Sequence, residues 1–163
     1  ILKSLKPEFK NERFYHDLLK KEFDEAINDL PEDYNPKAVI EALNEISDKI
    51  ICVRGNCDYT APEESTAYSW VKDVKIMFTH GHHWHVKLDL DDLKIGAREQ
   101  NARIALYGHT HISHVAYDDG LHIMNPGSIS CPKDCSCPTY GTIDIQGKNI
   151  VCNIVKMEHY RGY

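Results

Sequence analysis

The sequence predicts an α/β fold in which helices flank a sheet and the strand ends carry the chemistry, and three observations predict it. Short continuous apolar runs at residues 49–53, 74–79 and 104–107 have the length of buried strands rather than of helices. Segments with helical spacing of apolar residues lie between and before them. Each apolar run ends in a cluster of polar or imidazole side chains, and seven of the ten histidines fall in two such clusters, Thr79-His80-Gly81-His82-His83-Trp84-His85 and Gly108-His109-Thr110-His111-Ile112-Ser113-His114.

In chain order, residues 1–30 form an amphipathic helical segment, with Phe14, Leu18, Leu19, Phe23 and Ile27 on one stripe. A Pro-punctuated connector follows, and Asn35-Pro36 supplies a cap and first position for a helix over 37–47 that buries Val39, Ile40, Leu43 and Ile46. The run 49–53 reads as a buried strand leading into Arg54-Gly55-Asn56-Cys57-Asp58. Residues 59–70 read as a loop, 74–79 as a strand delivering the first histidine cluster, 90–101 as a helix, and 104–107 as a strand delivering the second. Beyond this the pattern turns antiparallel: 115–117 with 121–124 around Asp118-Asp119-Gly120, then 141–145 with 150–156 around Gln146-Gly147-Lys148-Asn149. Asn125-Pro126-Gly127-Ser128 closes a strand with turn chemistry.

Composition bounds the reading. A chain of 163 residues, 42% hydrophobic and 27% charged, fits one globular domain, 31–163 with the helical segment 1–30 before it. No apolar run is long enough for a membrane span and none has signal-peptide layout, so a cytoplasmic protein without a membrane partner is expected. A formal charge of -6 without a Lys/Arg stripe argues against general nucleic-acid binding and leaves a small nucleotide-like substrate open. The six cysteines are expected as reduced thiols, Cys52 and Cys152 in core strands, and Cys131, Cys135 and Cys137 in an exposed loop whose spacing could alternatively grip a soft metal. His16, His114, His122 and His159 read as surface or hydrogen-bonded histidines, and Trp84 as a pocket wall or lid contact.

Neutral imidazole is a common metal ligand and is costly to bury alone, so strand ends converging on several histidines point to a divalent-cation site. In open α/β sheets ligands bind beyond the carboxyl ends of the strands, which makes Asn56, His80, His109 and His111 candidates for one crevice.

These blocks resemble those of the calcineurin-like metallophosphoesterase family, and within it the small bacterial and archaeal phosphodiesterases, over roughly residues 30–156. Gly55-Asn56-Cys57-Asp58 is similar to the family's Gly-Asn-x-Asp/Glu block, Thr79-His80-Gly81-His82 to its Gly-His block and Gly108-His109-Thr110-His111 to its closing Gly-His-x-His. The resemblance implies a layered β-sheet sandwich with flanking helices and hydrolysis of small phosphoesters at a dinuclear metal site. Asn56, His80 and His109 would ligate one ion, His111 the second, and His82 would lie near the phosphate. Two divalent ions are implied, manganese first, with zinc, iron or nickel as alternatives, to clamp the phosphoryl oxygens and activate water.

The chain also departs from the family. The opening Asp-x-His strand and the Gly-Asp block that bridges the metals have no counterpart before Asn56, and by spacing the bridging position falls near Lys20. Either the 1–30 helix replaces that strand or the chain is an incomplete or remodelled version of the fold. Cys57 stands where many members carry a proton-donating histidine, which favours substrates with a good leaving group such as an aryl phosphate, while Asp58 would orient the loop. Two functions therefore stand: a metal-dependent phosphodiesterase carried by Asn56, Cys57, Asp58 and His82 with its metal ligands, or a non-catalytic scaffold on the same fold, as the similar retromer scaffold subunit illustrates. The apolar stripe of the first helix needs the sheet or a second subunit to cover it, which leaves the oligomeric state open.

Overall fold

The computed structural model describes residues 51–57, 62–134 and 137–157. The chain divides into two compact units, Ile1–Cys52 with Asn56–Ala61, and Val53–Gly55 with Pro62–Tyr163. The expectations for residues 1–30, for the helix 37–47, and for His16, Asp58, Cys135 and His159 lie outside the described residues.

The second unit holds β1 (Thr66–Val71), β2 (Val74–Thr79), a single 3-10 turn (His82–Trp84), α1 (Asp91–Glu99), β3 (Ile104–Tyr107), β4 (Ser113–Asp118), β5 (Leu121–Pro126), β6 (Thr139–Gln146) and β7 (Asn149–Lys156). Five strands make a mixed sheet in the order β1-β2-β3-β5-β4, parallel from β2 through β3 to β5 and antiparallel at both edges. Strands β6 and β7 form a separate antiparallel pair.

Alternation along the central strands sorts their side chains onto two faces. Met77 of β2, Ala105 and Tyr107 of β3 and Leu121 and Ile123 of β5 join Leu93 and Ala97 of α1 in one buried cluster. Val74, Ile76 and Ile104 point the other way and meet Ile150, Ile143, Ile145 and Cys152 of the β6–β7 pair. The result is three layers, helix, five-stranded sheet and hairpin, as expected for a layered α/β sandwich.

Helix α1 begins on a turn in which Asp89 Oδ1 accepts a hydrogen bond from the Asp91 amide at 2.9 Å, with Asp91 and Asp92 in the first turn, where carboxylates oppose the helix dipole favourably. Asp118 at the end of β4 takes Lys94 at 3.0 Å and Arg98 at 3.1 Å, fastening the solvent side of the helix to the sheet edge.

The expected strands 74–79 and 104–107 appear with those bounds, and the helix expected over 90–101 is α1. Three expectations are corrected. The segment 59–70 is not wholly loop, because β1 occupies Thr66–Val71 and pairs with β2 through a tight turn. That turn, Lys72-Asp73, places Lys72 at φ 53°, a left-handed conformation usually signalled by Gly or Asn, so a lone Asp is all that announces the hairpin. Residues 51–53 form no strand, Ile51 and Cys52 are exposed, and both edges of β2 are already paired with β1 and β3. Cys52 is therefore not a core residue, whereas Cys152 does pack against the second cluster. Trp84 packs against the first cluster and over Gly96 of α1, where any Cβ would overlap the indole ring. Among the described residues no helix is long and apolar enough to cross a membrane.

Candidate metal centre

Both histidine loops grow from the carboxyl ends of the parallel neighbours β2 and β3, whose last residues, Thr79 and Tyr107, are register partners. The first loop is held from behind by hydroxyl groups. A carbonyl can only accept, so the 3.0 Å contact of Thr79 Oγ1 with the Ser65 carbonyl consumes the Thr79 proton. The 2.9 Å contact between Thr66 Oγ1 and Thr79 Oγ1 must then be donated by Thr66, which in turn accepts from Trp84 Nε1 at 3.2 Å. Thr79 also accepts the Gly81 amide at 3.2 Å, and Gly81, at φ 101°, turns the chain back so that His82–Trp84 can close as a 3-10 turn.

The second loop is held by Asn125, which is fully buried. Its Nδ2 donates to the Gly108 carbonyl at 3.2 Å and to Thr110 Oγ1 at 2.9 Å, and its Oδ1 accepts the Gly127 amide at 3.0 Å. His109 (φ 69°) and His111 (φ 60°) both adopt left-handed backbone, which side-chain-bearing residues rarely do. Such strain persists where surrounding contacts over-determine it, and here the Asn125 bonds do so. The Gly108 amide donates to the His80 carbonyl at 3.2 Å and ties the two loops together.

The imidazoles come together on this edge. His80 Nδ1 and His82 Nδ1 are 3.0 Å apart, and the His80 ring lies 4.9 Å from His109 and His82 lies 6.1 Å from His109, centre to centre. An Nδ1 to Nδ1 hydrogen bond needs one donor and one acceptor, so the two rings are opposite tautomers. Burial, reinforced by the neighbouring His109, His82 and His111 rings and by Lys87, pushes His80 down to about 4. Burial and then Lys87, His82, His111 and Lys133 push His109 down to about 4 as well. Burial, with His83 and Arg54, also lowers His82. All three are neutral at physiological pH and keep nitrogen lone pairs for a ligand. His111 donates from Nδ1 to the Cys131 carbonyl at 2.9 Å, which leaves the lone pair on Nε2, the arrangement by which an outer contact orients a metal-ligating imidazole.

Neutral imidazoles suit a borderline divalent ion in kind. Their present arrangement is not a finished site: among the described residues no group of three or more His, Cys, Asp or Glu side chains is placed to hold an ion, and no carboxylate joins the histidines. Of the expected site residues, His80, His82 and His109 are brought together, and His111 shares the second loop close enough to act electrostatically on His80 and His109. Asn56 and Cys57 belong to the first unit, where Asn56 Nδ2 donates to Cys57 Sγ at 3.2 Å. Sequence reasoning missed Thr66, Thr79 and Asn125 as holders of the loops. Asn125 had a signal in its Asn-Pro-Gly-Ser turn, but not one that revealed its burial.

The profile of the calcineurin-like phosphoesterase superfamily domain matches residues 26–148. The chain belongs to this superfamily. It is similar to proteins named for phosphoester chemistry. It is 34% identical over 128 residues to the phosphodiesterase YfcE of Escherichia coli, a match covering 72% of this chain and 64% of that protein, so it spans less than two thirds of that relative. A crystal structure of a predicted phosphoesterase from Streptococcus pneumoniae superposes with a TM-score of 0.65 at 27% identity, covering 82% of this chain and 72% of the other. Vacuolar protein sorting-associated protein 29 of Schizosaccharomyces pombe is 27% identical over 129 residues, covering 74% of this chain and 68% of that protein. The superfamily member described here therefore has both an esterase and a sorting protein among its relatives.

Proposed function

We propose that this chain is a metal-dependent phosphodiesterase that hydrolyses small phosphoesters. The observation that carries the reading is the gathering of neutral histidines from two adjacent parallel strands at one carboxyl edge, where His80 and His109 lie 4.9 Å apart ring to ring. His80 and His109 would hold a first divalent ion, joined on its motif alone by Asn56, and His111 would serve a second. Manganese is the first candidate, with zinc, iron or nickel behind it. Such ions, when bound, neutralise phosphoryl charge and lower the pKa of water.

The chain's own groups do the rest. His82, neutral and hydrogen-bonded to His80, can donate to a phosphoryl oxygen and keep it in register. Cys57 in the position of a proton donor is a weak general acid for a leaving oxygen, so activity would favour aryl esters, whose oxygens leave without much protonation. Asn125 and Thr79 hold the two loops at fixed geometry so that little reorganisation is needed. The thiols of Cys52, Cys57, Cys131 and Cys152 support a reducing, cytoplasmic setting.

A second reading is a non-catalytic scaffold. The lack of a three-donor group and of a carboxylate beside the histidines, among the described residues, favours it, as does the likeness to a vacuolar sorting protein. Hydrolysis of bis(p-nitrophenyl) phosphate across a manganese titration separates the two. Saturable, metal-dependent turnover that disappears in His109→Ala supports the enzyme, and no turnover at saturating metal supports the scaffold.

A further inference from the structure

A pocket of about 490 Å³ opens beside the second histidine loop, within the size range of small-molecule sites. Its apolar floor is Val86, Leu90 and Ile112, and its polar rim includes Lys87, Lys133 and Thr110. The Tyr107 hydroxyl and His114 also line it, and they satisfy one another at 3.1 Å. Neither ammonium group has an ion-pair partner among the described residues.

Two links join this pocket to the histidines. Thr110 lies between His109 and His111 and is shared by loop and pocket. The Lys133 amide donates to the His111 carbonyl at 2.9 Å.

The lining selects its occupant. A neutral apolar molecule would cover Leu90 and Ile112 but leave two ammonium groups without a counter-charge. A bare inorganic anion would meet the lysines and leave the apolar floor wet. We propose that the pocket binds one ester substituent of the substrate, an apolar ring or chain that carries a negative charge, alongside the phosphoryl position at the histidines. This deepens the phosphodiesterase reading and rests on it, naming the substrate class as small phosphodiesters with an amphipathic, anionic substituent.

The test uses binding, so that it does not depend on turnover. Phenylphosphonate, a ring on a non-hydrolysable anion, is titrated into the full chain in chelator and followed by amide NMR shifts and calorimetry, beside methylphosphonate and benzyl alcohol. Saturable binding is expected, with shifts at Lys87, Ile112 and Lys133, and roughly tenfold tighter than either comparator. Lys87→Ala with Lys133→Ala, and separately Ile112→Ser, should each weaken it by roughly tenfold while the folded spectrum is kept. The three substituted positions, Lys87, Ile112 and Lys133, are exposed, so loss of fold is not the expected reason for loss of binding. No saturable binding, equal binding of methylphosphonate, or binding unchanged in both variants would overturn the pocket assignment. A chain that binds phenylphosphonate as expected but shows no metal-dependent turnover keeps the pocket and loses the enzyme; turnover with variant-insensitive binding does the reverse.

Discussion

Asn125 shows what a single residue contributes here, because one fully buried amide is bonded to the Gly108 carbonyl, the Thr110 hydroxyl and the Gly127 amide. Removing it leaves several buried polar groups without partners, each worth far more unsatisfied than a bond contributes when made. Asn125→Ala is expected to lower unfolding stability by about 2–3 kcal/mol, read as a shift in urea midpoint at unchanged slope. Released from Asn125, His109 and His111 should also relax from their left-handed backbone, visible as changed amide shifts. The histidines add a pH dependence. His80 and His109 sit at about 4 in the folded chain against an ordinary 6.5, so between those values the unfolded chain binds more protons. Stability is then fully present above pH 6.5 and is lost as pH falls towards 4. Urea midpoints in chelator at pH 7, 5.5 and 4.5 should fall in that order, and His80→Gln should flatten the trend. At this scale the sequence was a good guide to which side chains carry chemistry, since histidine clusters stand out in one dimension. It was a poor guide to what holds them, because Thr66, Thr79 and Asn125 are ordinary polar residues until their burial and partners are known.

Among the elements, α1 rests on Trp84 through a gap left by Gly96, where an added Cβ would overlap the indole. Alanine is the better helix former by about 1 kcal/mol, so propensity alone predicts that Gly96→Ala stabilises. Overpacking costs about 1–3 kcal/mol and is expected to win. Thermal melts should show Gly96→Ala less stable than the parent, and Trp84→Leu should recover part of the loss when the two are combined. Strands β2 and β3 were legible because buried parallel strands read as unbroken apolar runs. Strand β1 was not, since its Tyr68 and Trp70 are exposed and its turn uses Lys72. The apolar run around residue 51 misled for the opposite reason: hydrophobicity reports a wish for burial, while a strand also needs a neighbour with free backbone groups.

For the molecule as a whole, the three layers predict where the chain opens last. Strands β2, β3 and β5 are covered on both faces or flanked on both edges, while β1 and β4 are each paired on one edge only among the described residues. Native-state hydrogen exchange should therefore be slowest at Ile76, Met77, Ala105 and Ile123 and faster along β1 and β4. The α/β class was readable from alternating element types, and the superfamily, with the layered sandwich it implies, from three motif blocks in order. The mixed strand order was not, because pairing between distant segments leaves no local mark.

The backbone bond from the Gly108 amide to the His80 carbonyl, at 3.2 Å, continues the β2–β3 ladder one step past its last paired residues. Parallel strands stand about 4.8 Å apart whatever side chains they carry, so the two histidine loops leave the sheet at a spacing the backbone sets, and the Asn125 bonds fix the turn that presents His109. Neither support lies in the crossover between Gly81 and Ala102, so variation there would retune which molecules reach the edge while the departure points of the two loops stay as they are.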